Sequence, residues 1–154
     1  MHSVLAFSLL ALCGCTAASG RQPIADSATA ESESPRAIVA KRFALVGQYD
    51  VDGIAALYAP DAIETSPGFC TERRGPAGAR RTYGELFEAY PTITAHITAL
   101  IVEGERVAVE FIARVRKPDG SVAFESRLAN FLTVHDGKIT RDDTYFDPRG
   151  QPCS

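Results

Sequence analysis

The sequence predicts an α+β domain in which three helices precede an antiparallel meander. Two observations carry this. Between residues 35 and 90 the large apolar side chains recur at helical spacing, and from residue 92 onward the period drops to two. A third agrees with them: the breaks fall on Pro, Gly and Asp, the residues that let a chain reverse or stop. With 154 residues, 45% hydrophobic and 23% charged, the chain suits one domain with its own core.

The N-terminus is read separately from the fold. Val4 to Leu12 form an apolar run far too short to span a bilayer, and small residues follow. This predicts a secretory signal peptide over 1–15, although the leading segment offers no Lys or Arg. "LCGC", Leu12 to Cys15, resembles a bacterial lipobox, which would make Cys15 the lipidated residue; a plain signal peptide cut slightly later is the alternative. Residues 16–34 are rich in Ala, Ser, Thr and Glu and poor in large apolar residues, which predicts a flexible tether. The expectation is an exported protein on the periplasmic side of the cell envelope, touching the membrane only through its lipid.

The folded domain is expected over 35–154. Ser34 and Pro35 form a cap and first turn, after which Val39, Phe43 and Val46 make an apolar stripe. Asp50 or Asp52 caps a second short helix carrying Ile54, Leu57 and Tyr58, which Pro60 stops. "DAIETSPG" reads as a short strand ending in a turn. Gly75–Pro76 opens a third helix with Tyr83, Leu86, Phe87 and Tyr90 at i, i+3, i+4 and i+7. Ile93 to Ile101, Val107 to Val115, Val122 to Val134 and Lys138 to Phe146 then read as strands joined at "EGE", "KPDG" and "HDG". No internal repeat is visible.

Charge excludes one class of partner. The net charge of −3 comes without a Lys/Arg stripe, so no nucleic acid is expected. The four arginines of "ERRGPAGARR", Arg73, Arg74, Arg80 and Arg81, read as a solvated helix start, with contact to an anionic ligand or lipid headgroups as the alternative. If Cys13 is removed and Cys15 lipidated, Cys70 and Cys153 remain, and an oxidising compartment would join them. That bond would close a loop of roughly 80 residues and contribute about 4 kcal/mol. The three histidines, His2, His96 and His135, make no metal cluster with the cysteines, so neither metal nor cofactor is expected.

This element order, with "YAPDAIETSPG", "VEGERVAVEF", "HDGKIT" and "YFDP" at these places, resembles the SnoaL-like branch of the NTF2-like superfamily over about Arg36 to Pro148. The resemblance implies a cone: three N-terminal helices packed in a strongly curved, mostly antiparallel sheet around a deep apolar pocket. It also implies a small apolar ligand and a homodimer through the sheet. By that likeness, the pocket face would show Glu110, Ile112 and Arg114, then Ser126, Leu128 and Asn130, then Asp142, Thr144 and Phe146. Glu64 and Ser66 would join them. The opposite register would present Val109, Phe111 and Ala113, because a slip of one residue turns a strand over.

Two chemistries of the superfamily are incomplete here. Limonene epoxide hydrolases place an Asp where this chain has Thr144, and an Arg-x-Asp pair where it has about Glu110-x-Ile112. Ketosteroid isomerases place an Asp base where this chain has Ser66 before Pro67, and a donor Tyr near Phe43; their donor Asp falls near Asn130. SnoaL-type cyclases need one acid–base carboxylate in an apolar pocket, for which Glu110, Glu64 and Asp142 qualify. A rim position for Glu110, paired with Arg114 or Arg127, is the competing structural role.

Two functions follow. The first is a domain that binds a small apolar molecule without turning it over. The alternative is an isomerase- or cyclase-type enzyme using Glu110 or Glu64, with Asn130 as donor, for proton transfer on a polyketide- or steroid-like substrate. Burial of either glutamate beside Asn130 favours the enzyme.

Overall fold

A computed structural model of the protein describes residues 33–148. The expected signal peptide with Cys15, the tether up to residue 32, and Cys153 lie outside the described residues; Cys70 lies inside them and is exposed.

Helix α1 (Pro35–Gln48) begins as its sequence dictates. The Ser34 hydroxyl accepts the Ala37 N–H at 3.3 Å, and Pro35 occupies the first turn. It ends at Tyr49, which turns left-handed at φ 58° and returns its N–H to the carbonyls of Leu45 and Val46. Asp50 caps α2 (Val51–Ala55) by accepting the Gly53 N–H at 2.8 Å. This helix is shorter than the apolar spacing predicts, because Tyr58 already belongs to strand β1 (Tyr58–Thr65). Pro60 is tolerated there since β1 carries an irregularity between Tyr58 and Ile63, where no ladder bond is asked of it. The short β2 (Arg73–Arg74) pairs with Ile63 and Glu64, and α3 (Gly75–Ala89) follows at once. Gly75 permits this abrupt switch: its φ is 59°, and a Cβ would stand 2.5 Å from the Pro60 carbonyl oxygen.

Strands β3 (Ile93–Glu103), β4 (Arg106–Arg116), β5 (Val122–His135) and β6 (Lys138–Tyr145) form the antiparallel meander that the alternation predicts. Asp136 and Gly137 both have positive φ, 48° and 71°, which matches a tight hairpin to the twist of β5 and β6. Register irregularities at Ile97/Ala99, Val115/Arg116 and Thr133/Val134 bend the strands, so the sheet curves around the helices.

The sheet order is β2-β1-β6-β5-β4-β3, and β1 runs parallel to β6. This pairing, between segments some 80 residues apart in the chain, sets Glu64 directly beside Asp142. Helix α1 packs on the meander and α3 on β1 and α2. The core between them includes Val39, Ile54 and Ile139, each 0% exposed. Burying each such side chain contributes about 1.5–3 kcal/mol.

Candidate active site

A cavity of about 460 Å³ lies between the helices and the inner face of the sheet. Of the residues that the sequence nominates, Glu64, Ser66, Ser126, Leu128 and Asn130 line it. Phe43, Thr144 and Phe146 line it as well. The wall is strongly aromatic, with Phe69, Tyr83, Tyr90, Phe111 and Phe124 added to these.

Strand β4 turns the other way from the nominated register. Phe111 and Ala113 face the cavity, while Glu110, Ile112 and Arg114 do not line it. The reason is the pairing with β5: Phe111 stands opposite Leu128 and Ala113 opposite Ser126, and directly opposed residues share a face. Glu110 is therefore exposed on the outer face, opposite Ala129, in a separate depression with Thr98 and Arg127. Arg114 pairs on that same face with Glu125 at 2.5 Å. Glu110 cannot reach a ligand in the cavity. Asp142 also differs from the nominated place, because it lies behind the wall, 0% exposed, and touches no open space.

Asp142 is the centre of a buried polar cluster. Its carboxylate forms an ion pair with Arg42 Nη2 at 2.9 Å and accepts from Tyr58 Oη at 2.7 Å and Asn130 Nδ2 at 3.0 Å. Arg42, on α1, also donates Nε–H to Tyr83 Oη at 2.7 Å and lies 3.4 Å from Asn130 Oδ1. Asn130 donates to Thr144 Oγ1 too, so its amide is used on both sides. Burial works most strongly against the charge on Arg42, but Asp142, with Tyr58, Tyr83 and Glu64 adding to it, together outweigh burial and hold the guanidinium more firmly protonated than usual. Burial likewise pushes the Tyr58 and Tyr83 hydroxyls up, so both remain neutral donors.

Glu64 sits next to this cluster without sharing its cation by any direct contact. It is 4% exposed and lines the cavity. Its Oε2 accepts from Thr82 Oγ1 at 2.8 Å. Thr82 in turn accepts from Arg73 at 3.1 Å, and Arg73 is spent on Glu85 and stacks 3.9 Å over the Phe69 ring. Burial, and then the neighbouring Asp142 charge, push the Glu64 carboxyl from 4.5 to about 7. The two strands thus hold a carboxylate pair in unlike surroundings: one bonded to a guanidinium and two neutral donors, the other to a single hydroxyl.

Several members of this site are absent from the sequence-level nomination. Arg42, Tyr58, Thr82 and Arg73 carry no motif, and Arg73 is buried rather than part of a solvated helix start. One signal for Arg42 exists: it stands four residues after Ile38 and four before Val46, on the apolar stripe of α1 where a charge needs a partner. Among the described residues no group of three or more His, Cys, Asp or Glu could hold a metal ion.

A family model for the SnoaL-like domain matches residues 39–142, from the buried face of α1 to Asp142 itself. The chain belongs to the SnoaL-like domain family. Its SnoaL-like domain shares the fold of many solved structures. A loop-truncation variant of IdmH superposes with a TM-score of 0.66 at 25% identity, over 74% of this chain and 93% of that one. SalBIII, an epoxide hydrolase/cyclase-like enzyme in pyran ring formation of the polyether salinomycin, gives 0.64 at 23% identity, over 75% and 92%. A ketosteroid isomerase-like protein of Catenulispora acidiphila, in complex with trimethylamine, gives 0.65 at 17% identity, over 75% and 88%. Among curated proteins none matches the sequence. The SnoaL-like domain therefore has an NTF2-like α+β fold, a fold that includes cyclases and isomerases.

Proposed function

We propose that the domain is an acid–base enzyme in which Glu64 transfers a proton on a small, largely apolar substrate held in the cone. The observation that carries this is Glu64 itself: a carboxyl lining an aromatic cavity, 4% exposed, pushed up to about 7, beside a second carboxylate that keeps the arginine. A group balanced near neutrality can take a proton and return it with little driving force lost in either direction. Pairs of carboxyls in unlike environments are a recurrent way to build such a group. A pocket that only stores an apolar molecule gains nothing from a desolvated glutamate, which favours turnover over passive binding.

The chemistry that fits is abstraction of a proton from carbon beside a carbonyl, followed by its return at another carbon or by ring closure. Glu64 accepts the C–H proton as a carboxylate and gives it back as the acid, so the enzyme ends unchanged. Enolisable polyketide- or steroid-like ketones have the size and apolar surface that the cavity accommodates.

The test is solvent exchange. The protein, incubated in D2O with β-tetralone and with a steroid 3-ketone, should accelerate deuterium incorporation beside the carbonyl, and Glu64→Gln should abolish the acceleration. Equal rates with wild type and variant, or no acceleration with either ketone, would remove Glu64 from this role.

The remaining assignments rest on the sequence and on one face of the sheet. Export with a lipid on Cys15, residues 1–15 as signal peptide and 16–34 as tether, and a Cys70–Cys153 disulfide follow from the N-terminal pattern and the cysteine count. Intact mass of protein recovered from bacterial membranes, and non-reducing peptide mapping, test them together. A homodimer is favoured by the outer sheet face, where Ile101, Phe131 and Tyr145 are 69%, 51% and 55% exposed.

A further inference from the structure

We infer that the cavity's ligand carries an oxygen bearing full or developing negative charge, and that Arg42 holds it. This rests on the cavity being a ligand site, as proposed above, but not on what Glu64 does there. A guanidinium has five N–H donors. Among the described residues Arg42 gives three of them, to Tyr83, Asn130 and Asp142, and it lines the cavity. The contact to Asn130, at 3.4 Å, is long enough for a better acceptor to displace it. At 5% exposure Arg42 shows the cavity only a narrow edge, which one ligand oxygen suffices to cover.

The group is also fixed in place. Asp142 and Tyr83 hold it from two directions, and its Cζ lies 5.6 Å and 5.7 Å from the ring centres of Phe43 and Tyr83. An acceptor therefore meets a donor that needs no reorganisation, within apolar walls that strengthen the interaction. The other buried cation on the wall, Arg73, gives one donor to Thr82 and one to Glu85 and lies over the Phe69 ring, so the experiment below separates it from Arg42. Of the acids on the wall, Glu85 is paired with Arg73 and Arg81, and Glu64 in its protonated form is a further donor. A carboxylate, phenolate or enolate on an aromatic or alicyclic frame fits this distribution.

Asp142 limits how strongly Arg42 attracts an anion, because it already neutralises the arginine. That gives the test opposite signs in two variants. The probes are 2-naphthoate and its neutral isostere 2-naphthamide, titrated by fluorescence into the full chain, which has no Trp to interfere. The wild type should bind the naphthoate about tenfold more tightly, or better, as expected for a charge-assisted hydrogen bond. Asp142→Asn should widen that preference. Arg42→Gln combined with Asp142→Asn, which removes both charges and leaves neither buried alone, should abolish it. Glu64→Gln should keep it while losing proton exchange, so the two proposals fail separately.

Thermal melts confirm that each variant is folded before its affinity is read. Equal affinity for the two probes in wild type overturns the inference, as does a preference that survives the double variant. Loss of the preference in Arg73→Gln instead would move the anion to Arg73 and overturn the assignment to Arg42. Absence of binding by either probe at millimolar concentration overturns it too.

Discussion

Glu64→Gln should stabilise the protein above pH 7 and leave it almost unchanged near pH 4.5. Folding moves the Glu64 carboxyl from 4.5 to about 7, through burial first and the Asp142 charge second. Below pH 4.5 both the folded and the unfolded chain hold the proton, and the wild type has its full stability. Between 4.5 and 7 the folded chain binds a proton that the unfolded chain releases, so stability falls as pH rises. Above about 7 the loss is complete. A rise from 4.5 to about 7, at about 1.4 kcal/mol per pH unit, comes to about 3 kcal/mol. That is a large share of the 5–15 kcal/mol that holds a domain of this size together. Glutamine can still accept from Thr82 and never ionises, so it escapes the penalty. Urea unfolding of both proteins at pH 4.5, 6, 7 and 8 measures this directly, and every group the two share, His135 included, cancels in the difference. The gap in favour of the variant should widen by about 3 kcal/mol across the series. Parallel curves would refute the claim that Glu64 is buried without a counter-charge of its own.

Three further outcomes follow from the same geometry. Arg42→Met should cost about 3–5 kcal/mol in urea unfolding, because it leaves Asp142 charged and enclosed; adding Asp142→Asn should restore part of it. Glu110→Gln should change stability by no more than about 0.5 kcal/mol and leave ketone exchange at the wild-type rate, since its side chain faces solvent on the outer sheet. Phe131→Asp should convert a dimer built on that face to a monomer in light scattering, with the cavity unaffected; a mass that does not change would place any dimer contact elsewhere.

The fold was legible because period and punctuation are local. The stripe of Val39 and Val46, the alternation from Ile93 onward and the Asp136–Gly137 turn each act within a few residues. Likewise β5 and β6 showed their inner faces, Ser126, Leu128 and Asn130 against Thr144 and Phe146. Strand β4 did not, because both its faces carry apolar residues and alternation alone leaves the phase open. Pairing settles it: Phe111 must face inward once Leu128 does. Weighing the uniformly apolar series Val109, Phe111, Ala113 above the single carboxylate Glu110 would have reached the same answer.

The site was harder to see for a different reason. Arg42 and Asp142 are 100 residues apart, and no spacing rule relates a helix residue to a strand at the other end of the chain. The parallel pairing of β1 with β6, which places Glu64 beside Asp142, is equally non-local. Alternation says which way a side chain points, and the neighbours that tune its proton affinity come from the topology.

The most direct measurement is a titration of the Glu64 side-chain carboxyl by carbon-13 NMR, with the resonance assigned from Glu64→Gln. A midpoint near 7 is predicted for a carboxyl buried in the cavity beside Asp142. A midpoint near 4.5 would mean an ordinary solvated glutamate, and would contradict both its burial and its role as the proton carrier.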